Sequence, residues 1–182
     1  MTQFNDIQQI KRRFFAMRNG ITADALRKGG SPFKIIFGLN LPQIVEIANE
    51  TGFNRELAAK LWANKTTRES RLLAPMLIEP QQLSLAEALS MALDCETTET
   101  ADVLCHRLLR KSPEAQVIAN ELEAEGSEMA CYCALRILWH FISINPLAAK
   151  EIAQRELQRN RKLTQFPAQQ ILDELDFLES DI

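Results

Sequence analysis

The stretch LWANKTTRESRLLA, residues 61–74, decides the fold class of this chain. Leu61 and Trp62 end an apolar helical pattern, and a short polar turn follows. Thr66 or Thr67, with Glu69 just after it, then has the spacing of a helix N-terminal cap before an apolar run. The stretch therefore predicts a helix, a turn and a second helix.

The same punctuation recurs along the chain, with helix pairs spaced by about 30 to 40 residues, which is typical of HEAT-like repeats. Helices are predicted over residues 3–19, 23–28, 41–51, 55–62, 67–79, 84–93, 97–111, 113–125, 128–144, 146–160 and 164–180. The apolar segment 33–38 could form a strand, but no partner strand is predicted and we interpret it as a packed connector. The pattern predicts an all-α fold in which HEAT-like repeats stack into a curved solenoid, an α-α superhelix with a concave groove. An irregular α-bundle is the alternative.

The length and composition predict one domain over residues 1–182, ending in an acidic helix at about 164–182. Hydrophobic residues make up 46% of the chain and charged residues 25%, as in ordinary globular proteins. No apolar run approaches the roughly 20 residues that cross a bilayer. Residues 1–6 carry no signal-peptide pattern, so we expect a cytoplasmic protein with no membrane partner.

The formal net charge of −3 hides a strong segregation of charge. Five acids and no bases lie in the last ten residues, and without them 21 bases face 19 acids. An acidic protein can therefore carry a basic face, and the net charge does not exclude a polyanionic partner. These acids are Asp173, Glu174, Asp176, Glu179 and Asp181.

The cysteines and histidines do not have the spacing of a metal site. Cys131 and Cys133 would diverge by about 200° around a helix, and the two histidines, His106 and His140, complete no ligand pattern. We expect no metal and no cofactor. The nucleophile, phosphate-loop and zinc-protease motifs are absent from the sequence, so any chemistry must come from a carboxylate or from electrostatics.

Two predicted helices carry polar faces. In the helix from 97 to 111, Asp102 shares a face with Glu99, His106 and Arg110, which forms either a solvated surface or a carboxylate held at a groove. In the helix from 128 to 144, four side chains share a side that suits either phosphate contact and stacking or packing against a neighbouring helix. They are Tyr132, Arg136, Trp139 and His140.

Three places resemble the AlkD-like DNA alkylation repair glycosylases, a family built from HEAT-like repeats. The first is the basic helix end at 26–28 with the connector closing on Gly38 and then Pro42. The second is Leu61-Trp62 followed by Arg68-Glu69, and the third is the segment 100–104 around Asp102. The likeness spans residues 10 to 160. The family's pattern has a tryptophan where this chain has Thr98, and an arginine where it has Tyr132, with Arg136 one turn later.

The resemblance implies a basic surface that holds double-stranded DNA and a metal-free hydrolase that excises N3- and N7-alkylated purines. On this reading Asp102 is the catalytic carboxylate, and Tyr132 and Trp139 are the aromatic residues near it. The residues implied to contact DNA phosphates are Arg68, Arg71, Arg107, Arg110, Lys111 and Arg136. Two other functions are weighed beside a glycosylase: a non-catalytic HEAT-repeat DNA-binding module and a protein-interaction scaffold. The acidic segment 173–182 is a candidate self-inhibitor of a basic groove.

Overall fold

The computed structural model describes residues 6–180, and its regular structure is helical, as predicted. The helices are α1 Asp6–Ala16, α2 Gly20–Lys28, α3 Leu41–Thr51, α4 Arg55–Trp62, α5 Arg68–Leu73, α6 Leu85–Leu93, α7 Thr98–Arg107, α8 Ala115–Glu125, α9 Glu128–Leu138, α10 Pro146–Arg159 and α11 Gln165–Ser180. An isolated parallel bridge between Ile35 and Thr67 is the only β-pairing found within residues 6–180. Residues 3–5 of the first predicted helix, and Asp181, lie outside the described residues. None of the described helices is long and apolar enough to cross a membrane.

Side-chain caps start most of the helices where the sequence predicts them. Asn40 accepts from the Gln43 amide, and the Gln43 side chain accepts from the Asn40 amide, which makes a complete capping box. Single side-chain caps start six further helices. They come from Asn19, Asn54, Ser84, Thr97, Ser127 and Asn145.

Three helices end earlier than the periodicity predicts, each in a 3-10 turn. α5 ends at Leu73 because Pro75 cannot supply the next amide, and residues 74–77 tighten into a 3-10 turn. α7 ends at Arg107, since Leu108 leaves the helical region at φ −123° and ψ −66°. α9 ends at Leu138 rather than 144. The apolar spacing continues through all three turns, which is why periodicity alone extends the helices.

The chain divides into two compact units, one over the described residues up to Glu79 and one from Pro80 onward. In the first unit, fully buried side chains of α1, α3, α4 and α5 form the core: Phe14, Ile44, Ala58 and Leu73. In the second unit α9 packs against α7 and α8, and α10 packs against α11. The single domain over 1–182 stays a prediction.

The fold-deciding stretch holds a buried carboxylate where a helix cap is predicted. Thr67 precedes α5, but its side chain caps nothing. The fully buried Glu69 instead accepts hydrogen bonds from the amides of Phe37 at 3.1 Å and Gly38 at 2.9 Å. Arg68 donates to the same carboxylate at 3.0 Å. Glu69 therefore ties α5 to the connector, and the predicted capping role is wrong.

The connector 33–39 packs as predicted. Ile35 forms the bridge to Thr67, while Phe33 and Ile36 are buried beside α2. Gly38 has φ +81°, and a β-carbon there would lie 2.1 Å from the carbonyl oxygen of Asn19. Only glycine fits this contact between the connector and the start of α2.

Candidate carboxylate and phosphate site

The second unit brings the predicted carboxylate and most of the predicted cations together. In α7 the apolar stripe Ala101, Leu104 and Cys105 is buried, and α7 packs on α9. Asp102 lies beside this stripe, where its side chain is 39% exposed. The packing of α7 on α9 thus fixes the helix while leaving the carboxylate within reach of solvent.

A hydrogen bond and an ion pair from α9 hold one oxygen of Asp102. The Tyr132 hydroxyl donates to Oδ1 at 2.8 Å, and Nε of Arg136 lies 2.7 Å from the same atom. Tyr132 and Arg136 are one turn apart, so both side chains leave α9 on the same side. Within residues 6–180 no group donates to Oδ2 of Asp102. The carboxylate is therefore oriented through one oxygen and open at the other.

Tyr132 acts as a permanent donor in this arrangement. It is 8% exposed, and burial, followed by its hydrogen bond to Asp102, raises the pKa of the phenol far above its usual value. Its proton therefore stays on the phenol oxygen. Tyr132 can orient the carboxylate but cannot serve as a general base.

Arg136 lies one turn after Tyr132, the position at which the resemblance implies an arginine. Its side chain reaches back to Asp102. Its Nη1 also lies 3.5 Å from Oε1 of Gln170 on α11. Gln170 was not predicted as a site residue, because no spacing in the sequence relates it to α9.

A cluster of cations follows Asp102 at the end of α7. Arg107, Arg110 and Lys111 have no acidic partner in the described part of the chain. Arg110 donates from Nε to the carbonyl of His106 at 2.6 Å. Nε of Arg107 is buried and has no hydrogen-bond partner among residues 6–180. We call Arg107, Arg110 and Lys111 the cation cluster.

The positive charge of the cation cluster contributes to lowered pKa values at Lys111 and His106. Desolvation, followed by Arg110 and Arg107, lowers the pKa of Lys111. Desolvation also lowers the pKa of His106, and the cations Arg110, Arg107, Lys111 and Arg136 act in the same direction. The part of these shifts that comes from neighbouring cations favours an anion, and the fork of an arginine matches phosphate as well as carboxylate oxygens.

The two arginines of the fold-deciding stretch do not belong to this surface. Arg68 is 5% exposed and donates to the Leu39 carbonyl as well as to Glu69. Arg71 is 1% exposed; it donates to the Trp62 carbonyl at 2.7 Å and its guanidinium lies 3.7 Å from the centre of the Trp62 ring. The prediction that Arg68 and Arg71 contact phosphates is wrong, because both side chains are buried and donate to groups inside the first unit.

The predicted aromatic pair separates. Tyr132 contacts the carboxylate directly, while Trp139 lies half-buried in the 3-10 turn after α9 and makes no hydrogen bond to Asp102 in the described structure. His140, in the same turn, contacts the cation cluster through Arg110. In residues 6–180 no group of three or more His, Cys, Asp or Glu side chains is placed to hold a metal ion.

The successive helix pairs indicate a class, the HEAT-like helical-repeat proteins. A solved structure matches this chain with a TM-score of 0.80 and 17% sequence identity, covering 92% of this chain and 74% of that one. It is described as a new family of proteins related to the HEAT-like repeat DNA glycosylases with affinity for branched DNA structures. At that identity the likeness shows the fold. No curated protein sequence matches the chain.

The family follows from the sequence itself. The family model described as DNA alkylation repair enzyme matches residues 10–168. This protein therefore belongs to the DNA alkylation repair family, as its motifs predict.

Proposed function

We propose that this protein binds DNA through the cation cluster and hydrolyses the N-glycosidic bond of cationic N3- or N7-alkylated purines, using Asp102. The observation that carries the proposal is the carboxylate of Asp102, anchored at Oδ1 by Tyr132 and Arg136 and open at Oδ2. The family match over residues 10–168 supports the substrate class.

The proposed reaction needs little from the protein. An alkylated purine already carries positive charge, so the bond from C1′ to the purine nitrogen breaks with both electrons going to the base. The base then leaves neutral, and the sugar becomes an oxocarbenium-like cation. Oδ2 of Asp102 would stabilise that cation by charge and accept a hydrogen bond from the attacking water. The water oxygen bonds to C1′, and its proton passes to the carboxylate and then to solvent.

Tyr132 and Arg136 are positioning residues in this scheme. They fix the plane of the carboxylate, so that Oδ2 needs no rearrangement when charge develops on the sugar. Arg136 also neutralises part of the charge of Asp102, which would weaken its effect on the sugar. If Arg136 also bound a DNA phosphate, it would neutralise less of the charge of Asp102, and the carboxylate would stabilise the sugar cation more strongly.

The test is release of methylated purines from an alkylated duplex, measured for the wild type, Asp102→Asn and Asp24→Asn. Asp24 is an exposed acid of α2 and serves as the matched control. We expect release from the wild type and Asp24→Asn, and a loss of 100-fold or more in Asp102→Asn, the order of an electrostatic stabiliser. Equal release from all three proteins would remove Asp102 from the mechanism. No release from the wild type would remove the enzymatic activity.

A second candidate function is DNA binding without cleavage. Thr98 stands where the family's pattern has a tryptophan, and the open carboxylate has no aromatic partner of that kind on α7. The relative of similar fold is described as having affinity for branched DNA. Binding of a four-way junction and of a duplex of equal length, measured beside the release assay, separates the two candidates. Tight junction binding without release supports the second.

A further inference from the structure

The second unit contains a pair of histidines that the carboxylate chemistry does not use. Nδ1 of His106 lies 3.4 Å from Nε2 of His140, and the ring centres are 5.3 Å apart. Nη1 of Arg110 lies 3.3 Å from Nδ1 of His140. These contacts connect α7, the 3-10 turn after it and the 3-10 turn after α9. The sequence gives no reason to expect the pairing.

The contacts fix where the protons lie. A guanidinium has donors and no acceptor, so Nδ1 of His140 must accept from Arg110. The other nitrogen of His140 then carries the proton and donates to Nδ1 of His106. His106 is left with a proton on Nε2, and this residue is exposed. In this arrangement both rings are neutral, and Arg110 is held by an acceptor that exists only while His140 is neutral.

The charged groups that face the pair are cations. They are Arg107, Arg110, Lys111 and Arg136. Asp102, one turn before His106 on α7, already has Arg136 on its carboxylate. Burial, followed by Arg110, His106 and Arg136, lowers the pKa of His140 to about 4. A metal cation would meet the same repulsion, whereas an anion would be attracted by every one of these groups.

We propose that His106 and His140, together with the cation cluster, form a binding site for a backbone phosphate of DNA that takes up protons when it is occupied. The inference rests on the proposed DNA binding and names its regulation by pH. Both rings could then donate to phosphate oxygens as imidazolium groups.

DNA affinity should depend on pH because phosphate binding and proton binding at this site are thermodynamically linked. A phosphodiester keeps its negative charge throughout the range from pH 5 to 8, so its arrival offsets the repulsion that keeps the histidines neutral. The bound state then holds more protons than the free state, and DNA affinity rises as pH falls. Each histidine contributes at most about a tenfold gain in affinity per pH unit, between its pKa in the complex and its pKa in the free protein.

The test compares the affinity for a duplex oligonucleotide from pH 7.5 to 5.5, at fixed ionic strength, in the wild type and His106→Gln/His140→Gln. The chain has only these two histidines, so the double variant has no side chain with an ordinary pKa in this range. Lys28→Gln, a change at an exposed lysine of the first unit, is the matched control. We expect a gain of threefold or more over this range in the wild type and Lys28→Gln, and a flat response in the double variant.

Binding with the same pH response in the wild type and the double variant overturns the inference and leaves the proposed DNA binding standing. Absence of duplex binding at every pH from 7.5 to 5.5 overturns both the inference and the proposed DNA binding.

A second measurement follows the two histidine resonances by NMR. We expect the pKa of both rings to rise when the duplex is added. A rise with sodium phosphate but not with the duplex would overturn the assignment to DNA. The readout does not depend on any variant.

Discussion

Oδ1 of Asp102 and Nε of Arg136 are 2.7 Å apart across the contact between α7 and α9. The hydroxyl of Tyr132 donates to the same oxygen at 2.8 Å. One oxygen therefore carries a hydrogen bond and an ion pair from successive turns of one helix, and the orientation of the carboxylate is fixed from outside its own helix.

Removing the Tyr132 hydroxyl and removing the Arg136 guanidinium should lower the free energy of unfolding by unequal amounts. Tyr132→Phe keeps the ring and deletes a half-buried hydrogen bond, so we expect the free energy of unfolding to fall by about 1 kcal/mol. Arg136→Gln opens an ion pair whose two side chains are about a third exposed. Screening by solvent keeps that loss below about 1 kcal/mol. Urea denaturation of both variants and of the double variant measures the losses and their coupling.

The double variant shows whether the contacts of Tyr132 and Arg136 with Asp102 are energetically coupled. Because they share one acceptor oxygen, the losses should not add. Strict additivity, or no loss in Tyr132→Phe, would contradict the geometry at Oδ1.

A second prediction separates the buried arginines from the cation cluster. Arg71→Gln should lower stability by about 2 kcal/mol or more, because a buried charged donor to the Trp62 carbonyl is lost. It should leave the salt dependence of DNA binding unchanged. Arg107→Gln should leave stability nearly unchanged and reduce the slope of log affinity against log salt by about 0.9, the effect of one phosphate contact.

These two variants are matched, since each replaces one arginine by glutamine. Binding to one duplex at four or more salt concentrations, together with thermal unfolding of each variant, gives the comparison. A smaller salt slope in Arg71→Gln than in Arg107→Gln would reverse our assignment of the two arginines.

The sequence predicts the helices better than it predicts the surface. Caps such as Asn40 and Ser84 are local signals, because a side chain and an amide three residues later decide them. The early end of α7 depends on the backbone angles at Leu108, and apolar spacing does not report these angles. α9 passes into a 3-10 turn at Trp139 while its backbone stays in the helical region, and apolar spacing does not distinguish the two kinds of helix.

The sequence predicts the parts of the site that depend on residues close together in the chain. A shared helix face relates Asp102 to Arg110, and another relates Tyr132 to Arg136, so each pair is visible in the sequence. The contacts between those faces depend on how α7 packs on α9, and one sequence does not determine this. For Arg68 the partner Glu69 is the next residue in the sequence, but the sequence does not show that the connector buries the arginine.

A third prediction concerns the connector. Gly38→Ala should destabilise the protein by several kcal/mol, because the β-carbon would lie 2.1 Å from the carbonyl of Asn19 in addition to the strain of φ +81°. Gly30→Ala is the control in the same unit, with φ +86° and no atom within 4 Å of the added carbon. We expect it to lose only about 1 to 2 kcal/mol, the cost of the left-handed conformation. Similar unfolding midpoints for the two variants would show that the connector moves away from α2.

The last prediction is the acid dependence of stability, which follows from His140. Its pKa is lowered in the folded protein to about 4, against about 6.5 in an unfolded chain. Between these values the unfolded chain binds the proton and the folded protein does not, so stability falls as pH falls from about 6.5 toward 4. His140→Gln lacks this group and should lose less stability than the wild type between pH 7 and pH 5. Thermal unfolding in the absence of DNA, at those two pH values, measures the difference. A larger loss in the variant would mean that protonated His140 is stabilised by the fold, opposite to the effect of the cations that surround it.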